Sequence, residues 1–234
     1  MSKGDGRRVV VSGGTGGLGI GVVRVLSDAG FSPVVTWIRD DERERAAEVF
    51  GRSADLRQVD VTDPAEADAL AASLDGDGGA WALVHLVGGY LDGAPVGGMD
   101  LAGWDRQIEL NLRSAAVMMR AFLPGMSSRG GGRVVAVGTR AALRPFAGAG
   151  AYAASKAGVL ALVAAAAEEV KADGVTVNAV LPSVINTPGN RAAMPEGDPE
   201  RWVQPEEIGK VISFLVSDDA SAVVGAAIPV YGRS

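Results

Sequence analysis

The chain contains no cysteine and a single histidine, His85. The first absence excludes disulfides, thiolate metal sites and cysteine nucleophiles. With one imidazole, a His-rich metal site is ruled out and a Ser-His-Asp hydrolase is a poor reading. Basic residues are outnumbered: 22 Lys and Arg against 28 Asp and Glu leave a net charge of −6. Nucleic acid and anionic membranes select the opposite sign, so neither partner is expected. Aromatic residues are scarce, at 5%. No uninterrupted run of about 18 apolar residues is available to cross a bilayer; the Ala-rich run at 157–167 ends at Glu168. The polar stretch at 1–8 precedes no signal-peptide apolar core, so the expected compartment is the cytoplasm.

What remains is a chain of 234 residues, 47% hydrophobic, with 33 glycines. That length suits one α/β domain over 1–234 with a sizeable core. β-branched runs predict strands at 9–12, 34–38, 56–59, 81–87, 133–137, 175–181 and 226–230. Helical spacing predicts helices at 17–29, 41–50, 101–128, 151–172 and 205–217, with a further one opened by Pro64 and a bend near Pro124 in the long one. Strictly alternating strands and helices imply a parallel sheet covered on both faces. Right-handed crossovers then make it a Rossmann-type doubly wound sheet of about seven strands. The polar, proline-containing stretch 188–203 reads as a loop or lid over a substrate.

Ser12-Gly13-Gly14-Thr15-Gly16-Gly17-Leu18-Gly19 joins the first strand to the first helix. Glycines there permit a tight turn and close approach of a pyrophosphate, and the helix N-terminus offers backbone N–H groups and partial positive charge. The same glycines also serve simple helix-on-strand packing, so the strand–turn–helix context is what favours nucleotide binding. Tyr152 and Lys156 stand four residues apart on a helix and share a face. A phenol of pKa about 10 is a weak acid–base group at neutrality, and a neighbouring ammonium favours its ionised form. The pair therefore reads as a proton-transfer site, against the plainer reading of a surface pair on an amphipathic helix.

These motifs together resemble the short-chain dehydrogenase/reductase family, and its 3-oxoacyl reductase-like ketoreductases in particular. The turn is similar to Thr-Gly-x-x-x-Gly-x-Gly with Ser12 in the threonine place. Tyr152-Ala-Ala-Ser-Lys156 is similar to Tyr-x-x-x-Lys, and Asn111-Leu-Arg-Ser114 to the family's asparagine segment. The resemblance implies a catalytic set of Asn111, Thr139, Tyr152 and Lys156, with Thr139 where the family has serine. It implies cofactor contacts from Ser12, Gly13, Thr15, Gly17, Leu18, Gly19, Trp37, Arg39, Asp60, Val61, Val87, Gly88, Tyr152, Lys156, Pro182, Ile185 and Thr187. It also implies reduction of a ketone to an alcohol by NADPH, a small-molecule carbonyl or alcohol substrate, and a homotetramer or dimer. No metal is implied.

Four departures accompany the match. Trp37 stands where a carboxylate would bind the ribose, and Arg39 follows. This favours NADP(H) over NAD(H), although Gly16 is not the basic residue many NADP(H)-dependent members have. His85-Leu86-Val87-Gly88 replaces Asn-Asn-Ala-Gly, and a strand-end histidine reads as structural. Pro182-Ser183 replaces Pro-Gly, and Thr139 replaces serine. Tyr90, Leu91, Leu143, Arg144 and Phe146 are expected pocket walls, with Met194, Trp202 and Arg191 available from the lid. Two other readings stay open: a non-redox isomerase, dehydratase or cyclase on the same scaffold, and a nucleotide-sensing regulatory protein.

Overall fold

The computed structural model describes residues 4–76, 78–91 and 93–233; Met1 to Lys3 of the polar N-terminal stretch lie outside the described residues. The strands are β1 (Arg8–Ser12), β2 (Ser32–Trp37), β3 (Asp55–Gln58), β4 (Ala82–His85), β5 (Gly132–Val137), β6 (Val175–Pro182) and β7 (Ala227–Val230). The α-helices are α1 (Gly17–Asp28), α2 (Asp40–Phe50), α3 (Pro64–Asp75), α4 (Leu101–Ile108), α5 (Ser114–Ser128), α6 (Gly150–Val170), α7 (Pro188–Ala193) and α8 (Pro205–Leu215).

The strands form one all-parallel sheet in the order β3-β2-β1-β4-β5-β6-β7. Side chains alternate across the pleat, so each central strand feeds two cores. Val10, Leu83, Val134 and Val177 pack with α3, α5 and α6 on one face. Val9, Val11, Val84 and Val135 pack with α1 and α8 on the other. Burial on both faces explains why these strands read as continuous apolar runs. The chain reverses its winding between β1 and β4, and that switch point opens a crevice at the carboxyl ends of the strands. The cleft at this crevice extends over the end of β2 to Trp37 and Arg39 and past β3 to Asp60 and Val61.

The predicted helix at 101–128 is not continuous, and its irregularity is not at Pro124. A π turn at Glu109–Arg113 separates α4 from α5, while Pro124 lies inside α5. Pro124 is exposed, so the carbonyl it leaves without an N–H partner faces the solvent side and the helix continues. The apolar character of α6 exceeds the sequence expectation: with the 3-10 turn that follows it, it is long and apolar enough by composition to cross a membrane. In the fold it is a packing helix, burying Val159, Val163, Ala166, Ala167 and Val170 in the sheet's core.

Candidate active site

The turn after β1 sits at the base of the crevice. Gly13 has a φ of +76°. A Cβ on Gly19 would lie 2.4 Å from the Gly13 carbonyl oxygen, so helix and turn close on each other only with glycine there. The first turn of α1 has no side-chain cap and no acidic residue. An uncapped, acid-free helix N-terminus fits a pyrophosphate. Above it lies a cleft of about 550 Å³ lined by Gly13, Thr15, Gly17, Leu18, Gly19, Trp37, Arg39, Asp60, Val61, Val87 and Gly88. Eleven of the expected cofactor contacts are thus brought together. Ser12 lies beneath them, fully buried. Thr187 abuts the turn, since a Cβ on Gly17 would come within 2.9 Å of its Cβ. Ile185 forms a bridge with Val203, and Pro182 ends β6.

Where the cleft passes the end of β2, the Arg39 guanidinium pairs with Asp41 at 3.1 Å and Glu42 at 2.7 Å. Glu42 is also the N3 acceptor of the α2 capping box, and it lines the same cleft. Among the described residues, the buried indole N–H of Trp37 has no hydrogen-bond partner, and Arg43 stacks over its ring at 5.9 Å.

Tyr152 and Lys156 lie in the first two turns of α6 and face the end of β5. The Thr139 hydroxyl, just beyond β5, hydrogen-bonds the Tyr152 phenol and pulls its pKa down, while burial pushes it up and dominates. This differs from the sequence expectation that Lys156 would tune the phenol downward. The Lys156 ammonium instead donates to the Val137 carbonyl at 2.7 Å. Lys156 is 3% exposed, and burial lowers its pKa to about 8. Thr139 also caps the next turn, accepting from Ala141 N–H at 3.3 Å.

Asn111 lies in the π turn and is fully buried. Its Oδ1 accepts from Gly89 N–H at 2.8 Å, and its Nδ2 donates to the Gly89 carbonyl at 3.1 Å and to Ser155 Oγ at 2.9 Å. Ser155 in turn donates to the Tyr152 carbonyl at 2.8 Å. Gln107, 1% exposed, donates to the Gly89 carbonyl and accepts from Leu91 N–H. Sequence reading missed Gln107 and Ser155; an uncharged polar residue on a helix gives no sign of its burial. The sequence did flag Tyr90. Its ring meets Tyr152 edge-on at 5.5 Å and Phe146 at 5.8 Å, and Phe146, Leu143 and Leu91 stay exposed nearby. Trp202, open in sequence to apolar substrate contact or to loop packing, is buried against Gly197. Arg191 Nε donates to Asn186 Oδ1 at 2.7 Å, and Met194 is 38% exposed.

The low pKa of Lys156 has a stability consequence. Its folded value of about 8 lies below the ordinary 10.5, so between these pH values the folded chain binds fewer protons than the unfolded one. The penalty for the buried ammonium is complete below about pH 8 and disappears as pH rises toward 10.5. Lys156→Met removes it. Urea melts should show the variant more stable than the parent by about 1–3 kcal/mol at pH 7, less the lost Val137 bond, with the gap closing by about pH 10. A parent more stable than the variant at pH 7 would contradict this.

Fold and cleft together define the class as a dinucleotide-binding oxidoreductase with its cleft at a sheet switch point. A family model described as enoyl-(acyl carrier protein) reductase matches residues 13–232. The chain is 35% identical to cis-4-hydroxycyclohexanecarboxylate dehydrogenase of Sinomonas cyclohexanicum, over 97% of this chain and 95% of that protein. It is 30% identical to 3-oxoacyl-(acyl-carrier-protein) reductase of Vibrio cholerae, over 97% of each. A short-chain type dehydrogenase/reductase structure from Mycobacterium ulcerans superposes with a TM-score of 0.92 at 27% identity, covering 100% of this chain and 90% of that one. The chain belongs to the short-chain dehydrogenase/reductase family and is an NAD(P)-dependent oxidoreductase.

Proposed function

We propose that this enzyme reduces a ketone to an alcohol with NADPH, using Tyr152, Lys156, Thr139 and Asn111. The observation that carries the reading is the meeting of the Tyr152 and Thr139 hydroxyls at the crevice, with the buried Lys156 ammonium one turn along the same helix. A bound nicotinamide dinucleotide supplies the hydride. Tyr152 donates the proton to the carbonyl oxygen as it gains negative charge, and burial keeps the phenol protonated and able to donate. Thr139 holds that oxygen by a second hydrogen bond. Lys156 holds positive charge beneath the site, and Asn111 fixes the Gly89 backbone and, through Ser155, the first turn of α6. The segment 188–203 serves as a lid anchored at Ile185–Val203.

The rim of Tyr90, Leu91, Leu143 and Phe146 supports a carbonyl carried on an apolar body. A ring alcohol is the named substrate type of one relative, the cyclohexanecarboxylate dehydrogenase. Only a third of the apolar window of α6 is buried, which supports self-association along that helix into a dimer or tetramer. The reading places the enzyme in the cytoplasm.

NADP(H) preference rests on Arg39 beside the ribose position, with no carboxylate at Trp37. Its engagement with Asp41 and Glu42 weighs the other way, because a 2′-phosphate has to compete with both. Arg39→Ala should lower the ratio of NADPH to NADH binding by about tenfold, the value of one charge-assisted pair. An unchanged ratio removes Arg39 from cofactor choice.

The function itself is tested by following NADPH and NADH absorbance with purified enzyme against cyclic ketones, aliphatic ketones, aldehydes and quinones. Carbonyl-dependent oxidation of NADPH supports the reading. Tight nucleotide binding with no turnover on any substrate class moves weight to a non-redox enzyme on this scaffold.

A further inference from the structure

His85 ends β4 directly beside Ser12 in the β1–β4 register and is 2% exposed. Its Nδ1 lies 2.8 Å from Ser12 Oγ, and its Nε2 lies 3.1 Å from Ser114 Oγ. Ser12 and Ser114 are both fully buried. A neutral imidazole carries one N–H and one bare nitrogen, so these contacts fit two opposite proton arrangements.

Ser114 decides between them. The π turn sends the Ser114 backbone N–H to the Glu109 carbonyl, five residues back. The Ser114 hydroxyl donates to the Leu110 carbonyl at 2.6 Å. A hydroxyl has one proton to give. With that proton on Leu110, Ser114 Oγ meets Nε2 as an acceptor, and Nε2 carries the ring hydrogen. Nδ1 is then bare, and the Ser12 hydroxyl donates to it.

We propose that His85 is a positioning residue, a neutral Nε2-protonated imidazole that ties the dinucleotide turn at Ser12 to the π turn holding Asn111. The chain of donors runs one way, from Ser12 to His85 to Ser114 to the Leu110 carbonyl. Ser12 immediately precedes Gly13, and Leu110 immediately precedes Asn111 and itself lines the cleft. The link spans the two sides of the switch point, one shaping the nucleotide's seat and the other the backbone around Gly89. The roles of the two ends rest on the oxidoreductase reading above; the proton arrangement does not. Burial, with the nearby Lys156 charge, holds the ring's pKa at about 3, in keeping with a strut that stays neutral and exchanges no proton with substrate.

The chain's single histidine makes the test direct. In the full-length protein labelled with ¹⁵N-histidine, two ring nitrogens are observed with no assignment problem. Nδ1 should resonate as a bare nitrogen and Nε2 as an N–H, unchanged between about pH 5 and pH 8, where a free imidazole titrates. An Nδ1–H tautomer, or an imidazolium in that range, overturns the proposal.

The positioning half is tested with Ser114→Ala, a one-atom truncation on the far side of His85 from the turn. NADPH and NADH dissociation constants, read by nucleotide fluorescence on protein with native circular dichroism, should rise about fivefold, the net worth of one hydrogen bond. Unchanged constants overturn the positioning role. If Ser114→Ala fails to fold, Ser114→Cys keeps a weak acceptor and should give an intermediate rise, with the same overturning result. A parent protein that binds neither nucleotide overturns the oxidoreductase reading, and the positioning role with it, while the tautomer measurement still decides the proton arrangement.

Discussion

Tyr152→Phe is expected to lower kcat for carbonyl reduction by about 10²–10⁴-fold, the usual contribution of a positioned general acid, while leaving nucleotide affinity within about twofold. The variant loses one oxygen. Its ring keeps the edge-on contact with the Tyr90 ring at 5.5 Å. Thr139 Oγ still accepts from Ala141 N–H, and its O–H loses only the phenol as acceptor. Stability should therefore change by about 0.5–1.5 kcal/mol, the net worth of one neutral hydrogen bond. Thr139 supplies an internal comparison. Thr139→Ser retains the hydroxyl and should keep most activity, whereas Thr139→Val removes the hydroxyl at nearly constant volume and should cost about 10²-fold. The measurement is carbonyl-dependent NADPH oxidation, with nucleotide titration as the control. Full activity in Tyr152→Phe would remove the phenol from proton transfer. A parallel loss of nucleotide binding would assign Tyr152 to cofactor seating instead.

Much of this architecture was legible in the chain because the central strands are buried on both faces, which forces runs such as Val9-Val10-Val11 and Val134-Val135. Their spacing with helices fixes a parallel, doubly wound order. The turn from Ser12 to Gly19 was legible because close backbone approach leaves no choice but glycine at Gly19. The π turn was not. It contains neither proline nor glycine, and the bonds that accompany it reach far along the chain, from Asn111 to Gly89 and from Ser114 to His85. Pro124, the residue with the strongest local signal for a break, sits where a break is not needed. The site's electrostatics were equally hidden. Chain spacing places Lys156 beside Tyr152 but cannot show that its ammonium turns to the Val137 carbonyl, nineteen residues back. Nor can it show that Asp41 and Glu42 hold Arg39, because solvated acidic residues and pairing ones look alike in sequence.

Gly88→Ala should damage stability and catalysis together. Gly88 has a φ of +142°, a region that side chains adopt only under strain of about 1–3 kcal/mol. The added Cβ would lie 2.5 Å from Asn111 Oδ1 and 2.7 Å from Lys156 Nζ. Neither neighbour has room to give. Asn111 is fully buried and bonded to both backbone groups of Gly89; Lys156 is held by the Val137 carbonyl. Moving either one strands buried polar groups, which adds roughly 1–3 kcal/mol to the strain. A total loss of about 2–6 kcal/mol is a large share of an ordinary domain's stability. Displacing Lys156 and Asn111 by even about 1 Å also costs on the order of 10²-fold in rate. Gly89 is the contrast. A Cβ there meets nothing within 4 Å, and its φ is not positive, so Gly89→Ala should change stability by less than about 1 kcal/mol. Urea melts of the two neighbouring variants, with NADPH oxidation by whatever folds, test the point. Equal melts would mean that Asn111 and Lys156 are free to shift, and that the crowding at Gly88 is not what fixes their positions.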